Sequence, residues 1–452
     1  MRLKRIKING LFGIFNHDIP LFMDERITII HSPNGFGKTT ILKILDDLFA
    51  KRLHSLGRVP FSKILLFFEG SRRLEIYQEE QEQNKGKDPS PIFPSLHFRL
   101  YKGKKIEHDT TIKPSSREKL GHYSFPMHII EQTIDSLERV GPYEWLDHST
   151  GDMLDIDDVI ERYSDYLPER IVKEDMVIPE WLLKFLKEVN VHFIQTQRLI
   201  SLYDKSSRLP RRNRSIQERS VVEQHSKDLA EKIQDLLRQS GSLSASLDRT
   251  FPQRLLEQPK VKDVAEDIIR KEYIEQNKYR TRLMNAGLIE GEKPVPLPER
   301  VEGLEEIEIR VLWHYLNDVK KKFEIFDGLL QKVELFKEII NSRFLFKEFG
   351  VDKIRGFGFR ATSGRELSAK SLSSGEQHEL VLAYQLLFMV PEKSLLLIDE
   401  PELSLHITWQ HKFLDDLARI SKLADLDFII ATHSPSIIHK RTDLEIPLKG
   451  PK

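Results

Sequence analysis

The alternation of apolar and polar positions changes character three times along the chain. Over the first 120 residues the apolar positions fall in short runs of period two: RLKRIKI from Arg2, RITIIH from Arg26, SKILLFF from Ser62, RRLEIYQ from Arg72 and SLHFRLY from Ser95. Such runs predict strands, and QEEQEQNKGKDPSP between the last two predicts a loop. From about His122 to Glu188 helical spacing takes over, as in IIEQTIDSLERV and EWLLKFLKEV. A short strand, VHFI from Val191, then ends at Gln-Thr-Gln.

Beyond Arg198 the pattern is basic and then helical. SSRLPRRNR (Ser206 to Arg214) predicts a basic loop, and Ser215 to Gln239 a helix with Val222, Leu229, Ile233 and Leu236 near heptad spacing. Between Val311 and Asn341 the positions Leu312, Leu316, Val319, Phe323, Phe326, Leu330 and Val333 alternate steps of four and three. Three such heptads suit either a coiled-coil seam or an amphipathic helix packed on a core. Gly328 interrupts them, at a cost of about 1 kcal/mol relative to Ala. EGEKPVPLPER, between the helical stretches, predicts a turn region. From Gly350 strands and helices alternate again. SLLLID, a helix from about Thr408 to Leu423, and DFIIATHSP read as one βαβ unit of a parallel sheet. The predicted organisation is an α/β head in two parts, residues 1–198 (with a helical insert at about 122–190) and 347–452, separated by a helical, coiled-coil-like arm at 199–346.

Composition narrows the chemistry. With no cysteine, disulfides, thiolate zinc sites and cysteine nucleophiles are excluded, so any metal must be held by oxygen or imidazole. Lys+Arg 70 against Asp+Glu 70 gives no overall attraction to nucleic acid, and any basic surface must be local. The start, MRLKRIKING, has no apolar core of a signal peptide, and the longest apolar runs are too short to span a bilayer. A cytoplasmic protein without membrane contact is the expectation.

Two glycine-rich turns more than three hundred residues apart carry the strongest signals. In HSPNGFGKTTILKILDDLF a strand enters a glycine turn and leaves as a helix. Glycines let backbone N–H groups approach an anion, and the helix N-terminus adds partial positive charge. Asn34, Gly35, Gly37, Lys38, Thr39 and Thr40 are the candidate phosphate-binding residues, with Lys38 on the outer phosphates and Thr39 on Mg2+. Ser32 stands where the strict pattern has glycine. In SLLLIDEPE an apolar strand ends in two carboxylates, Asp399 to hold the metal shell and Glu400 to polarise water. His433 follows FIIA, and Gln195 and Gln197 follow VHFI, so four predicted strands each deliver a polar group at their carboxyl ends. The second turn, SLSSGEQHEL, places Glu376 three residues after Ser373, a capping box for the helix that follows.

LSSGEQ (Leu372 to Gln377) resembles the signature of the ATP-binding-cassette superfamily. That resemblance implies an ABC-type P-loop ATPase head using ATP and Mg2+. It also implies an at least head-to-head homo-oligomer in which Ser373, Gly375 and Glu376 of one copy meet the nucleotide held by another. It makes Lys38 and Thr39 the Walker A pair, Asp399 and Glu400 the Walker B pair, and His433 the switch histidine. Gln197, in TQRL, or Gln195 becomes the metal-directed glutamine. The long spacing between cradle and signature, and ELSLHITWQ after Walker B, resemble the branch containing RecF, Rad50 and OLD proteins. Within it, NGLFGIFNHDIPL, SPNGFGKTTILKIL, HFIQTQRL, LSSGEQHELVL and DEPELSLHITWQ look most like the stand-alone ATPases of the bacterial anti-phage systems Septu and, second, PARIS. That likeness implies infection sensing and control of a separate nuclease, of HNH type in Septu. The sequence itself shows no HNH-like cluster, no metal-ligand histidine pair and no acidic nuclease triplet, so no nuclease activity is expected of this chain alone. The alternative is a Rad50- or RecF-like repair ATPase that binds DNA directly, for which the arginines of SSRLPRRNR are the candidate phosphate contacts.

Overall fold

The computed structural model describes residues 1–79, 94–112, 127–134, 137–141, 144–147, 152–156, 159, 163, 167, 178–195, 221–257, 264–291 and 304–451. The chain divides into two compact units: Met1–Ile194 with Lys393–Glu400 and Leu426–Lys452, and Gln195–Glu392 with Pro401–Asp425.

The first unit holds two large sheets. One has six strands in the order β2-β1-β4-β5-β6-β7. These are β1 (Leu3–Leu11), β2 (Phe15–Pro20), β4 (Lys63–Phe68), β5 (Arg72–Glu79), β6 (Ser95–Lys102) and β7 (Lys105–Ile112), paired antiparallel throughout. The other runs β11-β15-β16-β3-β17, from β3 (Ile27–His31), β11 (Asn190–Gln195), β15 (Ser394–Asp399), β16 (Asp427–Thr432) and β17 (Glu445–Pro447). Within it β15, β16, β3 and β17 pair in parallel. Strands covered on both faces need continuous apolar runs, which is why SLLLID and DFIIAT are buried almost end to end.

Helix α1 (Lys38–Phe49) is pinned in the core shared by both sheets. Its Ile41, Leu42, Ile44, Leu45 and Leu48 cluster with Ile6 and Ile8 of the first sheet and Leu397, Ile429 and Ala431 of the second. Each such side chain contributes about 1.5–3 kcal/mol by leaving water. The short helices α2 (Leu53–Arg58) and α4 (Glu180–Lys187) bury Leu53, Leu56, Leu182, Phe185 and Leu186 in the same core.

All five strands predicted from the first 120 residues are present, together with two the pattern did not reveal. β7 is an edge strand whose first five residues face solvent, so it carries no alternation. β2 alternates only Phe15, His17 and Ile19 inward. The helical expectation for residues 122–188 holds only in part. Between α3 (His128–Thr133) and α4 lies an antiparallel sheet of β8 (Leu137–Arg139), β9 (Glu144–Asp147) and β10 (Asp152–Asp155). Ile130, Ile134 and Leu137 have helical spacing but reach their common core with Trp145 and Leu154 from a helix, its end and a strand.

Among the described residues of the second unit four helices precede a small sheet. They are α5 (Val221–Glu257), α6 (Glu266–Asn285), α7 (Glu306–Glu324) and α8 (Asp327–Asn341). The seam from Leu312 to Val333 is shared by two helices, since α7 ends at Glu324 and α8 starts at Asp327. Gly328 therefore sits in a first turn, where it costs less than in a helix interior. Arg254 of α5 grips Asp318 of α7 through two bonds of 2.7 and 2.8 Å, and Gln276 of α6 donates to the Leu316 carbonyl at 2.8 Å. There follow β12 (Lys347–Asp352), β13 (Gly356–Ala361) and β14 (Glu366–Leu367), then α9 (Ser374–Tyr384) with a π-helical turn over Gln385–Met389, and α10 (Ile407–Ala424). Phe336, Phe349, Phe357, Tyr384 and Phe388 form an aromatic cluster in this unit. The last helix, α11 (Pro435–Ile438), returns to the first unit.

The root of α5 is fastened to α9 by a buried histidine. His225 stacks on Tyr384 with ring centroids 4.5 Å apart, and the Tyr384 hydroxyl donates to Asp228 at 2.5 Å. Burial pushes the His225 pKa down to about 4, against the opposing charge of Asp228 and with a small contribution from Lys232. His225 thus contributes stability that is complete above its unfolded pKa near 6.5 and is lost as pH falls through about 4. Replacing His225 by Phe should make the fall of Tm between pH 6.5 and 4 shallower, measured by thermal unfolding; an unchanged slope would mean that His225 is already protonated in the native state.

Candidate nucleotide-binding site

The site begins where β3 leaves the sheet. Ser32, in the place of the usual glycine, is buried and its hydroxyl donates to the Pro33 carbonyl at 3.2 Å. Gly35 and Gly37 then adopt φ of +89° and +84°, the left-handed region that favours glycine. A Cβ on Gly37 would lie 2.8 Å from Leu11 Cδ2, so both conformation and space demand glycine there. Gly37 is also the N-cap of α1, which has no side-chain cap and no acidic residue in its first turn. The amide groups of that turn are left for a ligand.

Lys38 is 5% exposed and folds back, its Nζ donating to the carbonyls of Ser32 (2.8 Å) and Pro33 (3.3 Å). A cleft of about 350 Å³ is lined by Phe12, Asn34, Gly35, Gly37, Lys38, Thr39, Thr40 and Glu400. Thr39 Oγ1 donates to Asp399 Oδ1 at 3.2 Å, joining positions 360 residues apart. The register of the parallel strands makes this meeting possible, because Asp399 pairs with Ala431 and Ala431 with Ile30. Glu400 follows with φ +45°, a left-handed conformation that costs a non-glycine residue about 1–3 kcal/mol. Its N–H donates to the Ala431 carbonyl at 2.8 Å, and its Oε1 lies 3.5 Å from His433 Nδ1. Burial raises the Asp399 pKa; the Thr39 hydrogen bond opposes this, the Glu400 charge adds to it, and Lys38 and Lys43 oppose it.

A second group of predicted residues belongs to the other unit. Ser373 caps α9 in a complete capping box: its Oγ accepts from the Glu376 N–H at 3.3 Å, and its own N–H donates to Glu376 Oε2 at 2.8 Å. The Ser373 hydroxyl also donates to Glu376 Oε2 at 3.0 Å. Lys347 holds both oxygens of Glu376, at 2.7 and 2.6 Å. Burial works against ionisation of Glu376, but Lys347 and the Ser373 donors together hold its pKa below the usual carboxylate range. Ser373 and Ser374 are exposed, and the nearest contact to a Cβ on Gly375 would be Trp409 at 3.8 Å.

Lys38, Thr39, Asp399, Glu400 and His433 therefore come together in the first unit, with Asn34, Gly35, Gly37 and Thr40 lining the cleft. Gln195 ends β11, the strand beside β15. Gln197 and the basic stretch 206–214 lie outside the described residues. Two residues escaped sequence reasoning. Phe12 reaches the cleft from the β1–β2 turn, where the glycines of NGLFG were its only local signal. Lys347 has no sequence signal at all, being 29 positions from Glu376.

Residues 1–438 match the AAA ATPase domain family. The chain belongs to that family. It is an ATPase of mixed α/β fold with long helices, and its ligand is ATP. No curated protein matches the chain. Similar solved structures include the Smc head domain with an extended coiled coil, bound to the C-terminal domain of ScpA, from Pyrococcus furiosus. Its identity is 13%, covering 96% of this chain and 90% of that one, with a TM-score of 0.32. Another is the SMC head domain from Thermotoga maritima, at 12% identity, covering 99% and 95%, with a TM-score of 0.33. No helix among the described residues is long and apolar enough to cross a membrane.

The uncapped helix start, the glycine turn and Lys38 fit a triphosphate in this ATPase. Among the described residues no cluster of three or more histidines and acids could hold a metal by itself. One hydroxyl and one carboxylate, Thr39 and Asp399, suit Mg2+, which keeps several waters and takes further oxygens from phosphate. Gly37→Ala should lower stability by about 1–3 kcal/mol in chemical denaturation and weaken ATP binding, because the added methyl meets Leu11. Full ATP affinity in a stable Gly37→Ala protein would show that the turn does not set the binding geometry.

Proposed function

We propose that this ATPase works as a head-to-head pair in which the Ser373 turn of each copy closes the nucleotide cleft of the other. In this reading the chain is the ATPase subunit of an anti-phage system, comparable to the PtuA subunit of Septu or the AriA subunit of PARIS, and its closed and open states control a separate HNH-type nuclease. The observation that carries the reading is the meeting of Thr39, Asp399, Glu400 and His433 beside the glycine turn. It is supported by a signature turn that is exposed and rigidly capped.

Each residue has a role that follows from its setting. Lys38 exchanges two backbone carbonyls for phosphate oxygens, which accept from its ammonium more strongly. Thr39 and Asp399 would hold Mg2+, with Gln197 or Gln195 as a further ligand; the ion would offset the negative charge of the phosphates. Glu400 is the base that accepts a proton from the attacking water, and His433, on the neighbouring strand's end, orients its carboxylate. Ser373, its hydroxyl fixed by Glu376 and Lys347, donates across the interface together with the α9 N-terminus. Closure of the pair changes the relation between copies, and a nuclease held by one state is released by the other.

Glu400→Gln should bind ATP and accumulate as a dimer in size-exclusion chromatography with light scattering, with turnover reduced at least about a hundredfold. Hydrolysis at the wild-type rate would remove Glu400 as the base. For the defence role, co-expression with an HNH-type nuclease from the same source should protect cells in a phage plating assay, and Lys38→Ala should abolish protection; protection that survives Lys38→Ala would contradict ATP control.

A further inference from the structure

The elbow between α8 and β12 holds two large apolar side chains out of the protein. Leu345 is 75% and Phe346 80% exposed, while the residues on either side are tied down. Before them, Arg343 is buried and ion-paired with Glu379 of α9 and Asp416 of α10, and Phe344 stacks with both Phe359 and Trp409. After them, Lys347 grips Glu376 at the start of α9. Phe346 itself has φ +61°, and its carbonyl accepts both the N–H and the hydroxyl of Thr362, at 3.1 and 2.9 Å. A bulky residue in the left-handed region, kept there by two hydrogen bonds and offered to water, is a conformation that folding alone does not call for.

We infer that Leu345 and Phe346 dock on a second copy of this chain, against the apolar β1–β2 turn at the rim of its nucleotide cleft. The inference rests on the head-to-head reading above and names the contact that seals it. Two observations choose this occupant. Through Lys347 and Glu376 the elbow is coupled directly to the N-cap of the signature helix, so whatever approaches Ser373 also approaches the elbow. The cleft is lined by Phe12, 44% exposed, and Ile14, two residues further along the same β1–β2 turn, is 54% exposed. Contact between the two patches would remove four large apolar side chains from water at the moment the nucleotide is enclosed, coupling closure to burial.

The chain has no cysteine, so a single one reports on this position. In full-length Glu400→Gln protein carrying Phe346→Cys, the rate of maleimide labelling is measured with and without Mg-ATP over a range of protein concentrations. The expected result is strong protection by ATP that disappears on dilution; loss of the ATP-dependent dimer by Phe346→Cys with ATP affinity intact supports the same contact. In the same background Phe346→Ser and Ile14→Ser should each weaken the dimer at least about tenfold, with the double variant no weaker than either alone. Labelling unaffected by ATP while the Glu400→Gln dimer forms overturns the docking contact and leaves the head-to-head reading standing. Additive effects of the two serine substitutions overturn the choice of the β1–β2 turn. A Glu400→Gln protein that stays monomeric with ATP overturns both.

Discussion

The parallel register of β15, β16 and β3 is the constraint on which the candidate nucleotide site depends. Asp399 opposite Ala431, and Ala431 opposite Ile30, bring the carboxyl ends of three strands to one level. Glu400 bonds to Ala431, Thr39 to Asp399, and His433 stands beside Glu400 as a result. None of these contacts is local. A slip of one residue along β15 would turn Asp399 to the opposite face and remove it from Thr39. The continuous burial of Leu395 to Ile398 and of Phe428 to Ala431 makes such a slip costly, so the hydrophobic core fixes where these polar groups stand.

The second unit solves a different problem, presenting the N-terminus of α9 in one orientation. A helix start needs caps, and here the cap is itself held: Glu376 fixes Ser373 and Lys347 fixes Glu376. One turn further on, Glu379 is buried against Arg343, which also meets Asp416 of α10. Burial lowers the Arg343 pKa to about 10. Such a cluster adds little net stability, but its geometry leaves α9 few alternatives relative to α8 and α10.

What could be read from the chain follows from how far each signal reaches. The parallel strands and α1 were legible because their burial writes continuous or periodic apolar runs, and the glycine turn because Gly35 and Gly37 occupy backbone conformations that few residues share. β7 was invisible since an edge strand facing water has no pattern, and β8 to β10 were masked by a spacing that helix and strand satisfied together. The capping box at Ser373 was readable as a local motif. Lys347, Phe12 and the Leu345–Phe346 elbow were not, because their significance lies in neighbours brought up by folding. The continuous heptad seam is divided between α7 and α8, since apolar spacing alone does not record where a helix stops.

An ATPase whose clustered carboxylates Asp399 and Glu400 and exposed, capping Ser373 belong to separate units of the same chain leaves one question above the rest, whether two copies complete each other's site. Mixing two inactive proteins, Lys38→Ala and Ser373→Arg, tests it most directly by steady-state ATP hydrolysis. Random pairing in equal amounts makes about half of the dimers mixed, each with one intact site of two, so the mixture should recover about a quarter of wild-type turnover. A mixture no more active than its components, although both proteins are folded and exchange partners, would contradict the account.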